Sequence, residues 1–228
     1  MRSFFYPMAF VVSAAALTLT AEETPSFAEG AQTGTVSGTV IVLDDGAPKA
    51  DRSGIVVYLE NVPGAAAPAG KKEIHQKNLA FTPGLMVIVK GTTVEFPNDD
   101  KVFHNVFSVS KAARFDLGLY KSGESKSVTF REPGVVDVYC NIHPQMVTKI
   151  KVVDNAFYAI TGADGSFKIK NVPVGTYPAV AWFPRGNETR LSVSVTAGGV
   201  ASFSPTVSEG ASHERHLRKD GTPYGRYK

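Results

Sequence analysis

Cysteine is nearly absent. Cys140 stands alone among 228 residues, which excludes an internal disulfide. Concentrated charge of one sign is missing too. The formal net charge is +3, lysine and arginine alternate with aspartate and glutamate, and no basic stripe with interleaved aromatics appears. Nucleic acid is therefore not an expected partner. No long apolar stretch of helical period occurs in the body of the chain. The one apolar run near its start, Ala9 to Leu19, falls short of the roughly 20 residues a bilayer span needs.

That run has another use. Arg2 precedes it and Ser26-Phe27-Ala28 follows it, so residues 1–28 read as an export signal, with Ala21 as an alternative cut and a retained anchor as the competing reading. Cleavage removes Arg2, Glu22 and Glu23, which moves the formal charge from +3 to +4. The expected location is the periplasm, with no transmembrane span in the mature chain. Export sharpens the question of the lone cysteine, because thiols usually pair in an oxidising compartment. Cys140 is a buried spare, an intermolecular bridge, or a reactive or metal-bound thiolate.

The body reads as strands. At 43% apolar and 20% charged, with 21 glycines and 14 prolines spread along it, the chain has the composition of a turn-rich globular protein. Apolar runs at Thr35–Val42, Ile55–Leu59, Leu85–Val89, Thr93–Phe96, Val102–Val109, Ser127–Phe130, Val135–Tyr139 and Thr148–Val153 are separated by breakers such as Asp44-Asp45-Gly46, Pro97-Asn98-Asp99-Asp100 and Glu132-Pro133-Gly134. Residues 63–72 form a small-residue linker. A second unit begins near Asp154, with Asp164-Gly165 predicting a hairpin between Tyr158–Thr161 and Phe167–Ile169. After Ser208 the chain turns polar, and 208–228 is expected to be a loosely ordered tail. The expected class is all-β, a sandwich or barrel.

The chemistry concentrates in Tyr139-Cys140-Asn141-Ile142-His143-Pro144-Gln145-Met146, just after an apolar strand. His104 lies 36 positions upstream, beside Asn105. One thiolate, two imidazoles and a weak axial thioether are the donors of a copper ion that shuttles single electrons. The expected ligands are His104, Cys140, His143 and Met146, holding one type 1 copper per chain. Singly, Cys140 and Met146 would pass for core residues and His104 for a half-buried histidine; their grouping in an exported β chain is what points to metal. His75, in a polar stretch, and His213 with His216, in the tail, read as solvated side chains.

At these residues the sequence resembles the cupredoxins. Residues 73–153 carry Cys-x2-His-x2-Met with proline after the histidine, similar to the short ligand loop of the amicyanin type. Phe96-Pro97-Asn98 ahead of His104-Asn105-Val106-Phe107-Ser108, and Thr129-Phe130-Arg131-Glu132-Pro133-Gly134 ahead of the cysteine strand, fit the same family. The resemblance implies a Greek-key β-sandwich. It also implies that Asn105 pins the ligand loop to the first-histidine strand, and that His143, with Pro144 beside it, is the electron's doorway. Residues 154–207 resemble a second family, the carboxypeptidase-regulatory-like, transthyretin-like β-sandwiches, through Thr161-Gly162-Ala163-Asp164-Gly165-Ser166-Phe167 and Val172-Pro173-Val174-Gly175-Thr176-Tyr177. Residues 34–62 look like the missing half of that second small sandwich, which would make the cupredoxin an insertion. Pairing of 34–62 with cupredoxin strands alone would contradict this.

The expected function is a periplasmic one-electron carrier serving transient redox partner proteins, and not an enzyme. Copper oxidases and reductases place histidines beside the cysteine or use His-x-His pairs, and neither occurs here. A dinuclear copper electron centre needs a second cysteine. The alternatives are copper delivery or storage, which would favour more than four methionines, and a cell-envelope interaction role for the second sandwich.

Overall fold

A computed structural model of the chain describes residues 32–64, 70–210 and 217–223. The export signal, His213 and His216 lie outside the described residues. Strands make up the regular structure that is described, and none of it is helix. No helix among the described residues is long and apolar enough to cross a membrane.

Two layered β units hold the strands, together with a short ribbon of His75–Lys77 and Ala80–Thr82. In the first, a five-stranded sheet runs in the order Ala113–Tyr120, His104–Ser110, Gly134–Cys140, Val147–Val153 and Leu85–Val89, the last pair being parallel. It packs over a three-stranded sheet of Ser125–Thr129, Thr93–Pro97 and Lys71–Glu73. Between them lies an apolar core that includes Ile74, Phe96, Val106, Phe130, Val136, Val138 and Ile150. In Gly134–Cys140, Val136, Val138 and Cys140 are buried while the residues between them are only partly so. This is the period-two alternation of a strand with one face on a core. Phase along that strand therefore seals Cys140 inside.

The second unit joins chain segments far apart in sequence. Thr33–Thr39 pairs antiparallel with Ser166–Pro173 and parallel with Val200–Ser202. Val56–Leu59 pairs with Tyr158–Ile160 and with Gly175–Trp182, which in turn pairs with Glu188–Val195. A small ribbon of Thr206–Ser208, Ile41–Asp44 and Ala47–Pro48 completes it. Its core gathers Val36, Val57, Leu59, Phe167, Ile169, Ala179 and Phe203. Backbones approach closely here: a Cβ on Gly38 would sit 1.9 Å from the carbonyl oxygen of Phe203.

All four residues of Val56–Leu59 are buried, which one core face cannot explain. Val57 and Leu59 face the core of their own unit, whereas Val56 and Tyr58 join Val180 and Trp182 against Val87, Val89 and Val153 of the first unit. A strand covered on both faces reads as a continuous apolar run, as Ile55 to Leu59 does.

Three sequence expectations differ from the structure. Asp164-Gly165 does form a turn, with Asp164 accepting from the Ser166 amide and Gly165 at φ +77°. Its flanking strands, however, enter different sheets instead of pairing as a hairpin. A Cβ at Gly165 would lie 2.4 Å from the Val40 carbonyl, so glycine serves close packing as well as the turn. The strand Ala113–Tyr120 has no counterpart among the sequence-predicted runs, because Gly118 and its charged residues break the apolar pattern. Val102 and Phe103 lie outside the strand they are expected to start, and are exposed.

Candidate metal centre

Strand register brings the first histidine to the cysteine. Val106 lies opposite Cys140, and Phe107 opposite Tyr139, in an antiparallel pair. His104 is two residues before Val106, so it shares the face of Cys140 as its diagonal neighbour. The loop after Cys140 then turns back on itself. The Cys140 amide donates to the Met146 carbonyl (3.2 Å), and the Met146 amide donates to the His143 carbonyl (3.1 Å). Two backbone hydrogen bonds thus close the loop from within the protein.

Three donor atoms converge. Nδ1 of His104 and Nδ1 of His143 are 3.0 Å apart, and Cys140 Sγ is 3.9 Å from the first and 3.6 Å from the second. A triangle with these sides has a circumradius of about 2.1 Å, close to the length of first-row metal bonds to nitrogen and sulfur, about 2.0–2.3 Å. His104 and Cys140 are fully buried, His143 half-buried. No other group of three or more histidine, cysteine or carboxylate ligands of this kind occurs among the described residues. Met146 is fully buried in the same core cluster as Cys140. A soft thiolate with two imidazoles and a thioether at hand is a donor set that fits copper.

Electrostatics bring Cys140 and His143 toward the forms that ligate, while His104 is held the other way, toward its charged form. Burial alone would raise the Cys140 thiol, but His104 and the backbone N–H groups of Asn105, Ile142 and His143 outweigh it and hold the thiol below its ordinary value. Burial would likewise lower His104, and Cys140 and Asp100 outweigh it to raise the imidazole. His143 is lowered, first by burial and then by the neighbouring His104, with Asp100 opposing. A thiolate and a neutral imidazole are the forms a metal binds.

Asp100 is a neighbour of the converging donors that the sequence does not single out. Its Oδ2 lies 2.8 Å from His104 Nε2, and it also accepts from the amides of Asn78 and Leu79. Holding the proton on Nε2 leaves the Nδ1 lone pair directed at Cys140 and His143. The fully buried Asn98 sets this loop, accepting from the Asp100 amide and donating to the carbonyls of Val102 and Tyr120. Along the chain, Pro97-Asn98-Asp99-Asp100 reads only as a breaker; its position four residues before a candidate ligand is the available signal.

The structure brings together His104, Cys140 and His143, with Met146 closing the loop and Pro144 half-buried within it. Asn105 differs from expectation. Its side chain donates to Asp116 in the adjacent strand (2.7 Å), not to the ligand loop, and its backbone N–H is what faces the thiol. His75 lies away from the centre, between the carboxylates of Asp99 and Glu73.

Comparison with known proteins gives this part of the chain a family. Residues 68–153 match the family model of copper binding proteins, plastocyanin/azurin family. Amicyanin-alpha of Methylorubrum extorquens is 32% identical over 89 residues, spanning 38% of this chain and 75% of that protein. Similar solved structures include a purple cupredoxin from Nitrosopumilus maritimus, at 28% identity and a TM-score of 0.32, covering 36% of this chain and 98% of that one. Another is a copper-containing nitrite reductase from Thermus scotoductus, at 28% identity and a TM-score of 0.36, where 38% of this chain spans only 23% of the other. Through residues 68–153, the chain belongs to the plastocyanin/azurin family of copper-binding proteins, the cupredoxins.

Proposed function

We propose that this protein is a periplasmic electron carrier with one type 1 copper per chain, held by Nδ1 of His104, Sγ of Cys140, Nδ1 of His143 and the thioether of Met146. The observation that carries the reading is the convergence of one sulfur and two Nδ1 atoms on a point about 2.1 Å from each. Bound copper supplies a one-electron couple between Cu(I) and Cu(II). Asp100 orients His104, and the two backbone hydrogen bonds of the loop hold Cys140, His143 and Met146 in register. A frame closed by the protein's own bonds moves little when charge changes, which favours carrying an electron over catalysis.

His143 and Pro144, half-buried beside the buried ligands, are the route by which the electron enters and leaves. Val102 and Phe103 precede His104 and Val147 follows Met146 in the chain, and all three are exposed. Exposed apolar residues next to the ligands in the chain suit brief, weak docking of donor and acceptor proteins, as small electron-transfer interfaces do. Residues 34–62 and 154–207 form, in this reading, one carboxypeptidase-regulatory-like sandwich that carries the copper domain as an insertion. Their mutual pairing supports it.

The test is a visible absorption spectrum of the chain expressed without residues 1–28 and titrated with Cu(II). An intense band saturating at one copper per chain, lost in Cys140→Ser, is the expected result. Only the faint colour of ordinary Cu(II), or a Cys140→Ser variant that stays intensely coloured, would refute it. Rapid loss of metal to a weak chelator would instead favour copper delivery.

A further inference from the structure

We propose that Lys219 is a positioning residue of the metal centre, strapping together from the C-terminal tail the two segments that carry its ligands; the inference rests on the metal site proposed above. The backbone N–H of Lys219 donates to Asn141 Oδ1 (3.0 Å), and Asn141 directly follows Cys140. Its Nζ donates to Asp116 Oδ2 (2.6 Å). The other oxygen of Asp116 accepts from Asn105 Nδ2 (2.7 Å) and from the Gly118 amide (2.9 Å), and Asn105 directly follows His104. One tail residue thereby completes a ring of contacts from His104 through Asn105, Asp116, Lys219 and Asn141 to Cys140.

The tail segment is shaped for this. The Arg218 amide donates to Thr222 and the Gly221 amide to Arg218, both at 2.9 Å, while Asp220 Oδ1 takes the Thr222 amide and hydroxyl. A turn that makes its own hydrogen bonds loses less freedom when it docks. The expectation of a loose tail therefore does not hold at residues 217–223. The Lys219 and Asp116 side chains are 43% and 41% exposed, and an ion pair at such exposure contributes little to global stability. Its effect is local: Asn105 and Asn141 are single residues away from two ligands, and the strap limits how far their segments can part.

The experiment compares the full chain with Lys219→Met and Lys219→Arg at low ionic strength. Two quantities are read: the rate at which EDTA strips copper, followed by loss of the visible band, and amide exchange at Asn141 to His143 in copper-free protein. Lys219→Met is expected to lose copper about two- to five-fold faster and to exchange faster by a similar factor. Lys219→Arg should stay near wild type, the melting temperatures should agree, and about 0.5 M salt should bring wild type toward Lys219→Met. Equal rates in wild type and Lys219→Met at low salt overturn the proposal, as does an arginine variant that behaves like the methionine one. If no copper binds, the metal reading fails by itself and the exchange measurement still decides whether Lys219 straps the loop.

Discussion

Replacing Asp100 with asparagine exchanges one carboxylate oxygen for an amide nitrogen and keeps the side chain's volume, so its effect isolates the hydrogen bonding around His104. Three donors point at this carboxylate: the Asn78 amide (2.6 Å) at Oδ1, and the Leu79 amide (2.9 Å) with His104 Nε2 (2.8 Å) at Oδ2. A carboxylate offers about four acceptor sites and no donor, whereas an amide offers one acceptor oxygen and adds two donors. Whichever way the new side-chain amide turned, its NH2 would face an N–H: that of Asn78, or those of Leu79 and His104 together. The Asp100 side chain is only 12% exposed, so water replaces the lost partner poorly. Losing a hydrogen bond in such a place costs about 1–3 kcal/mol, roughly 2–4 °C in melting temperature per kcal/mol for a chain of this size. The larger effect is on the metal, because disturbing the partner that orients a ligating histidine typically lowers affinity about 10–100-fold. Competition against a chelator of known affinity, read by the visible band, measures this directly. An Asp100→Asn variant that binds copper within about twofold of wild type would refute the role given to Asp100.

Met146→Leu should keep the intense colour and raise the reduction potential, because the axial donor tunes the couple; an unchanged potential in voltammetry would remove Met146 from the ligand set. Gly38→Ala should destabilise the second unit by at least about 1–3 kcal/mol, since a Cβ 1.9 Å from a backbone carbonyl forces strands apart. Calorimetry should show the lower transition while the copper band persists at 25 °C, and loss of the band at that temperature would contradict this separation. Lys151 is 6% exposed and packs against the rings of Tyr58 and Trp182, and burial holds its amine below the ordinary lysine value against the opposing pull of Glu188 and Glu60. A depressed folded pKa means that this group's contribution is present above its unfolded value of about 10.4 and lost as pH falls through the folded one. Lys151→Met should therefore be the more stable form at pH 7, by about 1 kcal/mol. A lower melting temperature there would mean that the cation–ring contacts outweigh the cost of the buried charge.

Some of this is local enough to read along the chain. Cys-x2-His-x2-Met needs a single turn to bring its residues together, and the apolar run Val135 to Tyr139 already marks the strand that delivers Cys140. His104 is legible because a second imidazole is required and only this histidine sits on a strand-like run beside Asn105. What stays hidden depends on pairing between distant segments. Asp100 looks like part of a breaker, because nothing in a Pro-Asn-Asp-Asp run says that its last carboxylate points back at a histidine. Asp164-Gly165 forms the turn its chemistry predicts but not the hairpin. Turn chemistry is local, whereas the partners of its strands are the segments Thr33–Thr39 and Val56–Leu59, far earlier in the chain.

By itself the sequence determined the strand-rich class, the residue types that could donate to a metal and the loop that spaces Cys140, His143 and Met146, since each follows from side-chain type and short-range geometry. The tertiary structure alone decided which carboxylate holds His104, that Asn105 answers to Asp116, and that Lys219 reaches the ligand loop. Those contacts depend on how separate strands register and where a tail comes to rest. Such choices are made by the burial of whole faces, and no stretch of neighbouring residues encodes them.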